Sequence, residues 1–143
     1  MQNNPLTLFL DTTQTKQTIT LWEGKVHATH TDDQPRASSR LHTTLQTMLN
    51  QHNLSLSHIK RLILTVGPGS FTGIRVGLAF AQGLKLAHPN LDVRTLTTFQ
   101  AISLSKNESK PHTIVLDSQS KELFTQKFKT AGIPEGKPKV EQK

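Results

Sequence analysis

Val66-Gly67-Pro68-Gly69-Ser70-Phe71-Thr72-Gly73-Ile74-Arg75-Val76-Gly77, continuing to Ala81-Gln82-Gly83-Leu84, joins an apolar run to a segment built largely of small residues. The run before it, Arg61 to Val66, has the length and apolar content of a buried strand. Glycine reaches backbone conformations closed to other residues and proline fixes φ, so Gly67-Pro68-Gly69 reads as a tight turn. A helix follows, in which Gly73, Gly77 and Ala81 recur every fourth residue and leave one side almost bare. Unpaired amides at the helix start, with the positive end of its dipole, favour an anion or a carboxylate. Two uses follow: an anion held at the start, and a partner helix packed along the bare side. No lysine closes the turn as in a P-loop, so a structural junction outweighs nucleotide binding here.

Outward from this unit the same logic continues in both directions. Leu6 to Leu10 is a compact apolar run that delivers Asp11, Thr12 and Thr13 to its end. Thr18 to Trp22 and Val26 to Thr31, separated by Glu23-Gly24-Lys25, read as a hairpin. Asp32 to Ser39, with Pro35, reads as a loop. Leu41, Leu45, Met48 and Leu49 recur at helical spacing between about Ser38 and Asn53. After the glycine helix, Leu91 to Leu96 is a short strand, and Thr97 with Gln100 forms a capping box that opens a third helix through Leu104. Thr113 to Asp117 repeats the opening strand with its terminal Asp, and Lys121 to Phe128 is its hairpin partner. Thr130 to Lys143, rich in Pro, Gly and Lys, is expected to be largely disordered. The order β-β-β-α-β-α-β-α, then β-β, is that of an α/β fold with a repeated strand-Asp-hairpin unit.

The composition narrows the function classes. The chain has 143 residues, a net charge of +7 and no cysteine, which excludes a disulfide framework or a thiolate zinc site. Met1 to Pro5 lacks the blocks of a signal peptide, no apolar run approaches a bilayer span, and a cytoplasmic protein is expected. The positive balance favours an RNA or acidic partner, but only 5% of residues are aromatic, which leaves few platforms for stacking bases. His27 and His30, three apart on a strand, face opposite sides, so no metal site is expected. The serines lack a Gly-x-Ser-x-Gly elbow, which argues against nucleophilic hydrolysis.

Leu8-Phe9-Leu10-Asp11-Thr12-Thr13, Ser55-Leu56-Ser57-His58-Ile59, and above all Gly67 to Gly77 with Ala81 to Leu84, resemble the TsaB (YeaZ) family. The resemblance weakens at Val115-Leu116-Asp117-Ser118, where the family usually has Asp-Ala-Arg and an acidic residue. Ser118 and Gln119 stand for the Ala and Arg, and Glu122 keeps the acid. The resemblance implies an actin/Hsp70-like ATPase (ribonuclease H-like) lobe with a mixed sheet flanked by helices and a second lobe cut short. Residues 1–108 would form the first lobe, 109–129 a first hairpin of the second, and 130–143 a tail.

It also implies a role without catalysis. Such proteins serve the complex that adds threonylcarbamoyl to N6 of adenosine 37 in tRNAs reading ANN codons, beside a catalytic paralogue (TsaD) and a small ATPase (TsaE). Two metal-binding histidines of the paralogue correspond to Thr95 and Phe99, which cannot form that site. No cofactor is implied. The anion or nucleotide candidates are Asp11, Thr12, Thr13, Gly67, Gly69, Ser70, Thr72 and Arg75. The partner surface is expected at Leu41, Leu45 and Met48 of one helix and Gly73, Ile74, Gly77, Leu78 and Ala81 of the other. Self-pairing and tRNA contact are further expectations; the competing readings are a small phosphotransferase or ATPase of this fold, and a homodimeric module outside the pathway.

Overall fold

Alternation along the first strands decides which way the sheet faces. In β1 (Thr7–Asp11), Leu8 and Leu10 point to one side; in β4 (Arg61–Thr65), Leu62 and Leu64 do the same. The two strands run parallel with Leu8 beside Leu62 and Leu10 beside Leu64, so their side chains form one apolar surface. Antiparallel β2 (Gln17–Trp22) adds Ile19 and Leu21 to it, and β3 (Val26–Asp32) and β5 (Asp92–Leu96) complete the order β3-β2-β1-β4-β5. The computed structural model describes residues 4–34 and 36–143; Met1 to Asn3 and Pro35 lie outside the described residues.

Both long helices cover this surface. Helix α1 (Ala37–Gln51) presents Leu41, Leu45, Met48 and Leu49 to the sheet, and α2 (Phe71–Ala87) presents Gly73, Gly77, Ala81 and Leu84. Each buried Leu contributes roughly 1.5–3 kcal/mol through removal from water. Leu54 N–H donates to the Leu49 carbonyl while Asn53 takes a left-handed conformation, which ends α1. The short turn η1 (Leu56–His58) then leads into β4.

Helix α3 (Thr98–Lys106) opens with the expected capping box: Gln100 N–H donates to Thr97 Oγ1, and Thr97 N–H to Gln100 Oε1, both at 3.0 Å. Phe99 of this helix packs with Ile114 and Phe128 in a second core under the strands β6 (His112–Asp117), β7 (Glu122–Thr130) and β8 (Ile133–Gln142). That sheet has the order β6-β7-β8, so it repeats the antiparallel β1-β2-β3 arrangement.

Strand β8 corrects the expectation of a disordered stretch over 130–143. Its residues are all exposed, and what holds them is backbone pairing with β7, from Thr130 beside Ile133 to Glu122 beside Gln142. Composition reports the lack of core-forming side chains; it does not report a neighbouring strand with free hydrogen-bonding groups. No helix among the described residues is long and apolar enough to cross a membrane.

Candidate functional site

The glycine turn and the end of β1 are one interlocked unit. Ser70 N–H donates to the Thr13 carbonyl at 2.8 Å, and Thr12 Oγ1 donates to the Gly73 carbonyl at 2.7 Å. A Cβ at Gly69 would run into the Thr13 carbonyl, and one at Gly73 into the Thr12 carbonyl. These glycines are needed so that the Thr12-Thr13 turn can lie against the start of α2. At Gly77 a Cβ would meet Thr12 Oγ1 at 2.7 Å, so the bare side of the helix is filled from within.

Asp11 is the anchor of this unit. Its Oδ1 accepts from Thr13 N–H (2.9 Å), Thr13 Oγ1 (2.7 Å) and Thr65 Oγ1 (2.6 Å). Thr13 Oγ1 in turn lies 3.0 Å from Thr98 Oγ1, which ties β1 to the start of α3. Thr98 N–H donates to the Gly67 carbonyl at 2.8 Å. Asp11 and Gly67 thus hold the ends of β1, β4 and α3 together, and neither lines the cleft beside them.

That cleft, about 930 Å³, opens between the two sheets. Four segments meet there: the turn after β1, the loop between β3 and α1, the start of α2, and the turn between β6 and β7. Of the anion candidates, Thr12, Thr13, Gly69, Ser70 and Thr72 line it. Ser70 caps α2 by accepting from Gly73 N–H at 3.1 Å. Among the described residues no hydrogen bond runs from the amides of Phe71 or Thr72, which remain open at the cleft wall.

Arg75 is a correction. One turn into α2 its guanidinium lies over the Phe71 ring, 5.5 Å from the centroid, and it is absent from the cleft wall. The cation that does line the cleft is Arg36, in a left-handed conformation just before α1. On the far wall stand Asp117, Ser118, Gln119 and Phe124. Asp117 Oδ1 pairs with Lys143 Nζ and accepts from Gln119 N–H, and these partners hold its carboxyl below the usual carboxylate range. The sequence pattern isolates none of Arg36, Ser118 or Gln119 as cleft residues, because only the meeting of the two sheets brings them together. Among the described residues no cluster of His, Cys, Asp or Glu could hold a metal ion.

The expected partner surface also needs correcting. Leu41, Leu45, Met48, Gly73, Gly77 and Ala81 are all buried in the chain's own core, and of these Ala81 lines a groove open at the surface. Ile74 is half-buried and Leu78 is exposed. The outward side of α2 carries three exposed apolar residues, Phe71 (74% exposed), Leu86 (83%) and Leu78 (39%), among the exposed Arg75, Gln82 and Lys85. Leu78 and Leu86 border a shallow apolar groove that runs to Val93 of β5. Thr95 lies exposed on β5 and Phe99 is buried in the second core.

A sequence profile of the family described as TsaD, tRNA N6-adenosine threonylcarbamoyltransferase, matches residues 31–133. The Escherichia coli tRNA threonylcarbamoyladenosine biosynthesis protein TsaB is 34% identical over 121 residues, covering 82% of this chain and 52% of that protein. The TsaB protein of Haemophilus influenzae is 30% identical over 129 residues, covering 87% of this chain and 53% of its own length. The chain therefore spans about half the length of the curated relatives it matches. YeaZ from Pseudomonas aeruginosa has the same fold, with a TM-score of 0.79 at 23% identity over 94% of this chain and 66% of that one.

Proposed function

Because the chain belongs to the threonylcarbamoyltransferase (TsaD) family, in its TsaB (YeaZ) branch, we propose that it is a non-catalytic scaffold subunit for threonylcarbamoylation of tRNA. The modified atom would be N6 of adenosine 37 in tRNAs reading ANN codons. The subunit would pair with the catalytic paralogue TsaD and recruit the ATPase TsaE, with tRNA contact through its basic surface.

The observation that carries this reading is the shallow apolar groove beside α2, bordered by the exposed Leu78 and Leu86 and by Val93, on a helix whose other side is committed to the sheet. Contiguous exposed apolar surface rimmed by polar residues marks a contact site. Asp11 fits a structural role at the strand end, since its Oδ1 accepts three internal hydrogen bonds.

Co-expression with the paralogue, followed by size-exclusion chromatography with light scattering, tests the proposal. A one-to-one complex is expected, and Leu86→Glu should abolish it while leaving the chain folded, since Leu86 is 83% exposed. A complex that ignores Leu86→Glu, or no complex at all, would overturn the reading. Gly77 is no substitute target, because a larger residue there collides with Thr12 and disturbs the fold itself.

A further inference from the structure

The aromatic rings of this chain are put away with one exception. Phe99 and Phe128 are buried, and Phe9, Phe80, Phe124 and Trp22 are half-buried; Phe71 alone is exposed. It opens α2 at the wall of the cleft, and the Arg75 guanidinium lies over its ring. A single exposed ring needs no partner by itself, so its surroundings have to supply the reason. Of the five arginines, Arg40, Arg61 and Arg94 are tied to Asp32 or Asp92. Arg36 and Arg75 have no carboxylate partner among the described residues, and they are the two that accompany Phe71, one lining the same cleft and the other on the ring. Of the carboxylates lining that cleft, Asp117 pairs with Lys143 and Asp33 accepts from Gln34 Nε2 at 3.0 Å. An aromatic face accompanied by free guanidinium groups suits a planar base between phosphates. An acidic peptide would satisfy the arginines and leave the ring idle, and an aliphatic helix would do the reverse.

We propose that Phe71 is a stacking platform for one unpaired base of an RNA strand, with Arg75 and Arg36 meeting the phosphates that flank it. The site depends on the proposed role in tRNA modification, and it puts a defined contact at the start of α2. The base must be unpaired, because bases inside a duplex are stacked on one another and offer the ring no face. Arg75 holds the ring in one orientation, which lowers the ordering cost of stacking a base on its open face. A guanidinium can keep its plane on a ring and still donate from its edge to a phosphate, which an ammonium cannot do. Phe71 opens α2 and Leu86 stands near its end, roughly 22 Å further along the helix axis, so the ring and the paralogue groove can be tested separately.

Fluorescence anisotropy of a short fluorescein-labelled single-stranded RNA, titrated with the purified chain, tests this. The unaltered chain should bind, Phe71→Leu should bind about tenfold more weakly or worse, and Phe71→Trp, which keeps a stacking face, should bind at least as well. Arg75→Gln should weaken binding and reduce the slope of log affinity against log salt by about 0.7, the share of one single-strand phosphate. Phe71→Leu should leave that slope unchanged. Leu86→Glu should still bind the strand, so a chain that fails to pair with the paralogue and a chain that fails to stack a base give different results. No binding by the unaltered chain, Phe71→Leu equal to it, or Phe71→Trp as weak as Phe71→Leu would overturn the proposal. So would an equal loss for the same RNA annealed to its complement, or displacement of the strand by adenosine monophosphate at matching concentration, which would give the ring to a free nucleotide.

Discussion

One helix holds two glycines with opposite demands. A Cβ on Gly73 would strike the Thr12 carbonyl, whereas one on Gly83 meets nothing within 4 Å. Gly73→Ala should therefore destabilise the protein by about 1–3 kcal/mol, the usual cost of forcing an atom into a packed site. Gly83→Ala, exposed in the same helix, should stabilise it by roughly 0.5–1 kcal/mol by lowering the entropy lost on folding. Urea titration of the two variants checks both signs. Asp11 makes a third case at this scale. Its loss in Asp11→Ala strands the Thr13 amide and two hydroxyls, and a cost of about 1–3 kcal/mol is expected in the same titration.

Between elements, the joint of β3 to α1 is electrostatic and hence sensitive to pH. Asp32 accepts from Gln34 N–H at 2.9 Å and from Arg40 NH2 at 2.8 Å. The Gln34 amide first, then the Arg40 guanidinium, hold its carboxyl below the ordinary value of 3.8. A carboxylate depressed in the folded state stabilises above its unfolded pKa and loses that contribution as pH falls through the folded one. Asp92, held down by Arg61 and then Arg94, has the same sign. The urea midpoint should accordingly hold steady from neutrality to about pH 4 and drop below it. Asp32→Asn should lower the neutral midpoint and flatten the acid drop; an unchanged acid slope would show the pair to be idle.

What the sequence made legible divides along the same lines. The strand–turn–helix unit, the hairpin and the Thr97/Gln100 box are local patterns, and they form as read. Strand β8 is not local: it exists because β7 offers it a ladder. Gly73, Gly77 and Ala81 were legible as a contact stripe but not as to what fills it. Spacing is the same whether the contact is a partner helix or the chain's own Thr12 and Leu64. The cleft was half legible for a related reason, since Thr12, Thr13 and Ser70 belong to the quoted motifs and Arg36 does not.

At the scale of the whole molecule, the two sheets communicate through α3 and a small polar joint around Ser103, which is fully buried. His112 Nδ1 donates to the Lys110 carbonyl, so Nε2 is left to accept from Ser103 Oγ at 2.8 Å. Ser103 Oγ also accepts from Gly132 N–H at 2.9 Å, which binds α3 to the turn between β7 and β8. The His112 ring stacks on Phe128, with centroids 5.5 Å apart, and so links the joint to the second core. Ser103→Ala strands a half-buried amide and an imidazole nitrogen together, at a cost of about 1–3 kcal/mol. Because these partners lie on the second sheet, the loss should be local. Hydrogen exchange in Ser103→Ala should quicken at β6, β7 and β8 and stay unchanged at β1 and β4. Uniform quickening would mean that the sheets unfold as one unit; quickening confined to the second sheet would mean that its wall of the cleft, Asp117 to Gln119, can loosen while Thr12 and Ser70 stay fixed.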